Sequence, residues 1–349
     1  MASPRPRPLP ALHRLFPNVY YGWIVTAACS VLSFLVVGIG FYGMVVFLDA
    51  LVVDRGWDRA SVSGATSLYW ITTGVTGIAI GRAIDRAGTR GFMAAGAVAM
   101  SGALLAIGAI REPWQLYPVY VLLGIGFALC GSVPVGAIMT RWFVARRARA
   151  MSLSMTGVSL GGMLLVPWMT ALVQSEGLQA TVGVLAVLLV VVVLPLTAFV
   201  LRFDPADHGL QADGVKGEGA PPGAFAARAH DVQHRLWRRR EVLRTRTFWM
   251  LAASFGLLLF CQVAFLMHQL AYLREPLGPA VAALAVSATA GSSMVARLVV
   301  GVFADRVRKR ELGVALFVLQ AAALVIFIQA TTPFGLFAGA ILMGVTIGN

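Results

Sequence analysis

The chain has 349 residues, 58% of them hydrophobic and 12% charged, with a net charge of +13 and a mean hydropathy of +0.80. A soluble domain has about a quarter of its residues charged and a disordered chain is poor in apolar residues, so both classes are excluded and the bilayer is the expected solvent. At about 20 apolar residues per span, this length holds on the order of ten spans.

Residues 1–20, with Arg5, Arg7 and Arg14 set among prolines, read as a cytoplasmic tail before an uncleaved first span. Apolar runs at 21–48, 60–80, 92–110, 117–140, 148–172 and 180–201 predict six spans, a first half covering 21–201. Residues 202–247 break the pattern. Gly214, Gly217, Gly219, Pro221, Pro222 and Gly223 predict a flexible linker, and the stretch from His234 to Arg246 predicts a basic helix on an anionic membrane surface. Four further runs, at 248–273, 280–303, 312–330 and 334–349, make up the second part, 248–349. The last is short for a span and has no basic flank, so the second half is expected to be incomplete, cut off at its C-terminus.

The cations sort by loop. The N-terminal tail, loops 82–90, 141–149 and 306–310 and the linker carry most of them, while only Arg55, Arg59, Arg111 and Arg274 flank the opposite ends of the runs. The positive-inside rule then places the N-terminus in the cytoplasm, and the positive charge needs no nucleic-acid partner. The near absence of lysine suits a GC-rich bacterial genome, hence a multi-pass protein of a bacterial inner membrane. Cys29, Cys130 and Cys261 each sit within an apolar run and read as small core residues, neither a disulfide framework nor a metal site.

One cation, Arg297, lies inside a run. A guanidinium in hydrocarbon costs roughly 2.5–3.5 kcal/mol on insertion scales, and its planar fork suits bidentate pairing with a carboxylate. Snorkelling to the interface is the competing reading, because the end of that span lies only two turns away. His268, near the outer end of the seventh run among Gln262, Gln269 and Tyr272, is a candidate anion ligand or proton relay, or a neutral residue bonded to a neighbouring helix. Tyr42, Tyr69 and Trp70 are candidates to line a cavity around a small anion, or packing residues.

A ten-residue pattern occurs twice. Gly81-Arg-Ala-Ile-Asp85-Arg86-Ala-Gly88-Thr-Arg90 closes the second run, and Gly301-Val-Phe-Ala-Asp305-Arg306 closes the eighth, with Arg308 where the first copy has Gly88. Recurrence at equivalent places points to an internal duplication. The first copy resembles the loop signature of the major facilitator superfamily. Tyr21-Gly22-Trp23, Gly56-Trp57-Asp58-Arg59, Arg141-Trp142-Phe143 with Arg146-Arg147, Gly157-Val-Ser159-Leu-Gly161-Gly162, Pro205-Ala-Asp-His-Gly209, Phe248-Trp249 and Arg297-Leu-Val-Val-Gly301 are similar to its monocarboxylate and oxalate/formate branch.

The resemblance implies an all-α polytopic membrane protein of the major facilitator fold, built of two six-span halves. It implies a secondary transporter that moves a small organic anion, a mono- or dicarboxylate, by alternating access with a proton or counter-anion and no cofactor. It further implies that Asp85 and Asp305 are gating aspartates, each meeting the start of a helix in the opposite half. Ser293 stands where that branch often has a carboxylate, and the first span has no lysine, so proton coupling of the monocarboxylate kind is not expected. The alternatives are a carrier of another small solute, an efflux carrier of the same fold, a non-transporting sensor, and an intramembrane serine hydrolase. The last would use the G-x-S-x-G pattern at Ser159, with His268 as base. No Gly-rich nucleotide loop occurs to couple transport to ATP.

Overall fold

In the computed structural model the described residues are 19–213, 239–303 and 306–347, and they are helical almost throughout. Lipid offers backbone groups no hydrogen-bond partners, so a chain this apolar must satisfy its N–H and C=O groups within each segment, which the α-helix does. Among the described residues the one β-type pairing is an isolated bridge between Phe143 and Asp213.

The helices are α1 (Tyr21–Val37), α2 (Gly43–Arg55), α3 (Arg59–Ala87), α4 (Arg90–Ala109), α5 (Leu116–Cys130), α6 (Ser132–Trp142), α7 (Arg147–Leu160), α8 (Val166–Pro195), α9 (Arg239–Leu243), α10 (Arg246–Leu277), α11 (Pro279–Phe303), α12 (Lys309–Gln329) and α13 (Pro333–Thr346). π-helical segments at Gly38–Tyr42 and Gly161–Leu165 join α1 to α2 and α7 to α8. Each of the ten apolar runs falls on helix within the described residues. Among the described residues seven helices are long and apolar enough to cross a membrane. The count falls below ten for local reasons. The stretch Arg147–Val200 runs as one helical rod that changes direction at Gly177 (φ 81), α3 is diluted by Ser, Thr, Gly and charge, and α13 has only 14 residues.

The chain forms two compact units, Met1–Val215 and Lys216–Asn349. In the first, α1 packs on α7, α4 on both α5 and α8, and α3 on α5, around a core that includes Leu32, Ile39, Phe47, Tyr69, Met100, Tyr120 and Trp142. The α1–α7 crossing is backbone against backbone. A Cβ built on Gly157 would overlap the Ser30 carbonyl, and one on Gly161 would stand 2.6 Å from the Phe34 carbonyl oxygen. Only glycine permits that approach, which is how small residues drive helix association where lipid removes the hydrophobic incentive. The second unit packs α11 on α13 and on α10, and α12 on α13, with Phe265, Leu273, Ala285, Phe327, Leu336 and Met343 in its apolar core.

The expected tail at 1–20 lies almost wholly outside the described residues, as do Asp305 and most of the expected linker, 214–238, including the first five residues of its basic stretch, whose remainder carries α9 and the start of α10.

Candidate functional site

The polar residues of the second unit's interior collect on facing helices. On α11, Thr289, Ser293 and Arg297 recur every fourth residue, which puts them on one helix face. All three are buried, and Arg297 is only 5% exposed. A helix whose other positions are mostly Ala, Val, Leu and Gly buries this face because facing helices supply polar partners. Ser293 Oγ donates to the Ile347 carbonyl at 2.8 Å, and Ser292 Oγ donates to the Ile341 carbonyl at 3.0 Å. The Gln269 amide of α10 donates to Thr289 Oγ1 at 2.7 Å, and Thr289 in turn donates to the Ala285 carbonyl. A second knot links three helices. Gln262 Nε2 donates to Gln320 Oε1 at 2.9 Å and to the Thr346 carbonyl at 3.2 Å, and Gln320 Nε2 reaches the Leu258 carbonyl.

Arg297 has contacts of its own within the chain. Helical side chains lean toward the N-terminal end of their helix, here toward Ser293 and Thr289 and away from the nearer end of α11. Burial and this lean speak against snorkelling. His268 and Tyr272 are exposed, one helix face away from the buried Gln262 and Gln269, so the four polar residues of α10 divide into two pairs on different faces. Tyr272 stacks at 5.2 Å on Phe327.

In the first unit, the π segment at Gly38–Tyr42 carries Phe41 and Tyr42 into an aromatic cluster. Trp70 meets Phe41 at 5.4 Å, Tyr69 at 4.9 Å and Phe127 at 6.0 Å between ring centroids. Trp70 is 39% exposed and Tyr42 half-buried. Tyr69 is fully buried, and its hydroxyl donates to the Gly40 carbonyl at 2.7 Å. The phenolic proton of Tyr69 is therefore committed to the backbone of the π segment, so of the three aromatics it is the one placed as a support.

At the expected cytoplasmic end of the same unit, a cavity of about 570 Å³ is lined by Asp85, Arg86, Gly88, Thr89 and Arg90 of the α3–α4 turn, by Arg141, and by the stretch from Arg202 to His208. Gly88 has φ +77, a conformation costly for any other residue, and this accounts for the glycine of the loop signature. Arg90 Nε donates to the Thr197 carbonyl at 2.9 Å and its guanidinium also reaches the Ala198 carbonyl, neutralising the negative end of the helical rod. Arg202 donates to Ala198 and Leu201 carbonyls nearby, and burial, then the neighbouring Arg90, lower its pKa.

Arg141 holds Asp204 at 2.7 Å while its guanidinium lies 4.2 Å over the Phe203 ring. Trp142 Nε1 donates to the Arg202 carbonyl at 2.8 Å, and Tyr20 Oη donates to the Trp142 carbonyl at 3.0 Å. Burial, with Asp213 close by, pushes the Tyr20 phenol well above its ordinary pKa and keeps it a donor. Three motifs far apart in the chain, at 21–23, 141–147 and 205–209, thus meet at one end of one unit, Tyr21 lying 5.6 Å from Trp142 and Trp23 4.8 Å from Phe143 between ring centroids. Tyr20, Asp204 and Asp213 carry no sequence signal of their own. The fixed distance of Asp204 from the Pro205-to-Gly209 motif was the only available hint.

Of the second copy of the loop pattern, Gly301 is buried on α11 and Arg306 is exposed. Ser159 lies inside α7, 7% exposed, where the nucleophile elbow of a hydrolase needs a strand-to-helix turn.

The family model for the Major Facilitator Superfamily matches residues 30–349. Over 160 residues the chain is 32% identical to an uncharacterized MFS-type transporter, YcxA, of Bacillus subtilis (strain 168), covering 46% of this chain and 38% of that protein. Over 234 residues it is 23% identical to the oxalate:formate antiporter of Oxalobacter formigenes, covering 67% of this chain and 51% of that one. The chain thus spans about half the length of these curated relatives, or less. Among solved structures, the proton:xylose symporter XylE bound to 6-bromo-6-deoxy-D-glucose superposes with a TM-score of 0.59 at 14% identity, over 93% of this chain and 80% of that one. An inward-facing, unoccupied bacterial homologue of the human lysosomal transporter Spinster superposes with a TM-score of 0.54 at 18% identity, over 94% and 74%. At those identities the likeness is one of fold.

Proposed function

The chain belongs to the major facilitator superfamily, a family of multi-pass membrane transporters and not of enzymes, and on that premise we propose that it serves a secondary carrier of small organic anions. The hydrolase alternative falls with the family and with Ser159 inside a helix. The observation that carries the reading is Arg297, a guanidinium 5% exposed within an apolar helix that is long enough to cross the membrane. Burying a cation there is worth its cost when the cation meets an anion, and the planar fork of arginine favours a carboxylate. The Oxalobacter relative, an oxalate:formate antiporter, supports the same substrate class.

In this reading the carboxylate of a mono- or dicarboxylic acid pairs with Arg297 in the second unit, and in the first unit Tyr42 and Trp70 are the substrate contacts. His268 is a second donor, and transport proceeds by alternating access between two six-span halves. Asp85 and Asp305 close the cytoplasmic gate, in a bacterial inner membrane with the N-terminus inside. A carboxylate facing the first turn of a helix gains about 0.3–1 kcal/mol from the unpaired N–H groups there, enough to bias a gate and weak enough to let it reopen.

The test is uptake of labelled oxalate, formate, lactate and pyruvate into proteoliposomes, with Arg297→Gln and Arg297→Lys beside the native protein. Uptake of at least one acid, abolished by Gln and poorly restored by Lys, supports an anion carrier with a bidentate arginine. Uptake that neither change affects, or no uptake of any acid, overturns it.

A further inference from the structure

The second unit holds a buried hydrogen-bond acceptor whose partner is not in the chain's described residues. Gln269 is 1% exposed, and its Oε1 is buried without a hydrogen bond. The orientation of the amide is fixed by its neighbour. Thr289 spends its single proton on the Ala285 carbonyl at 3.0 Å and so offers Gln269 only lone pairs. With that proton on the Ala285 carbonyl, Gln269 turns its NH2 toward Thr289, where the distance is 2.7 Å, and its oxygen away. A buried carbonyl oxygen with no donor costs about 1–3 kcal/mol, so a site that keeps one is poised for a group that brings a proton.

Thr289 and Arg297 share one face of α11, eight residues or about 12 Å apart along the axis, and a helical side chain such as that of Arg297 favours directions toward the N-terminal end, the end on which Thr289 lies. The unit thus offers a cationic fork on the helix face that carries Thr289, and a lone acceptor on the amide that Thr289 holds. A carboxylate suits the first and is repelled by the second, whereas a hydroxyl suits the second. A keto oxygen in the same place would set acceptor against acceptor and leave both unpaired.

Resting on the organic-anion reading above, we infer that Gln269 Oε1 is a specificity contact for a substrate hydroxyl, and that the protein selects short hydroxycarboxylic acids over their keto counterparts. Thr289 is its positioning residue, since the threonine hydroxyl sets which end of the amide faces the substrate. The discrimination arises from an unpaired polar group in the wrong complex, the kind of selectivity that a merely apolar pocket does not achieve.

The experiment compares uptake of lactate with pyruvate, and of glycolate with glyoxylate, by the protein reconstituted in proteoliposomes. The native protein is expected to favour each hydroxy acid by about tenfold or more in kcat/KM, given the penalty for an unpaired acceptor. Gln269→Met, which keeps the length and removes the acceptor, is expected to bring both ratios toward one, mainly by raising KM for the hydroxy acid. Thr289→Val, which removes the anchor with little change of shape, is expected to relax the ratios in the same direction. It provides an independent reading should the methionine variant fail to fold. Equal transport of hydroxy and keto acids by the native protein overturns the inference while leaving the carrier reading intact, provided that Arg297→Gln abolishes both. Ratios unchanged in the folded variants also overturn it and assign Gln269 Oε1 to a bound water. No transport of any of these acids overturns both readings.

Discussion

Arg141 and Asp204, 63 residues apart, meet at 2.7 Å between Nη1 and Oδ2, and this ion pair ties the end of α6 to the segment that follows α8. The pair is about one-third exposed on either side, so solvent screens it, and the Phe203 ring under the guanidinium adds a cation–π contact at 4.2 Å.

A double-mutant cycle of Arg141→Ala and Asp204→Ala is therefore expected to give a coupling of about 0.5–1 kcal/mol by thermal unfolding in detergent, declining as salt is raised. Strict additivity of the two changes would show the pair to be without net effect.

Gly157 sits where a side chain has no room, because a Cβ there would overlap the Ser30 carbonyl. Gly157→Ala is expected to destabilise the first unit by about 1–3 kcal/mol through forced separation of α1 and α7. Gly183, within α8, has nothing within 4 Å of its built Cβ. Gly183→Ala is expected to be neutral, or to stabilise by up to about 1 kcal/mol from helix propensity. Unfolding of the two variants side by side checks the contrast, and equal effects would refute the close crossing.

Tyr69→Phe removes the bond to the Gly40 carbonyl, a loss of about 0.5–1.5 kcal/mol in stability. Its substrate KM is expected to stay near the native value, whereas Trp70→Ala, on the exposed side of the same cluster, is expected to raise KM several-fold. Transport kinetics decide this, since a raised KM for Tyr69→Phe would give the phenol a direct contact with substrate.

Gln262 and Gln320 each lose a 2.9 Å partner when the other is made leucine. Either single change is expected to cost about 1 kcal/mol, and the double change less than the sum, because the second substitution removes the group that the first left unsatisfied. Thermal unfolding of the three variants measures this, and full additivity would mean that the two amides do not act on each other.

The family, the all-helical fold and the position of the loop signature were legible from consecutive residues alone. Unbroken apolar runs force helix in lipid, and the pattern from Gly81 to Arg90 is a local string whose glycine answers to a local need, the φ of +77 at Gly88. Arg297 was legible too, because a cation in an apolar run stands out whatever surrounds it. The number of crossing helices was less so. The break at Gly177 is a single residue of backbone, and α3 carries Ser, Thr, Gly and charged residues that dilute its apolar character.

What the sequence determined by itself is thus what hydropathy and short motifs encode, namely solvent, secondary structure and family. Only the tertiary structure decided which of two adjacent residues faces the interior. Tyr69 is buried and Trp70 exposed, Gln269 is buried and His268 exposed, and the motifs around Tyr20, Trp142 and Pro205 converge at one end of a unit. The physical reason is geometric. Successive residues on a helix point about 100° apart, so a residue's role depends on which neighbouring helix covers its face, and that is set by contacts far away in the chain.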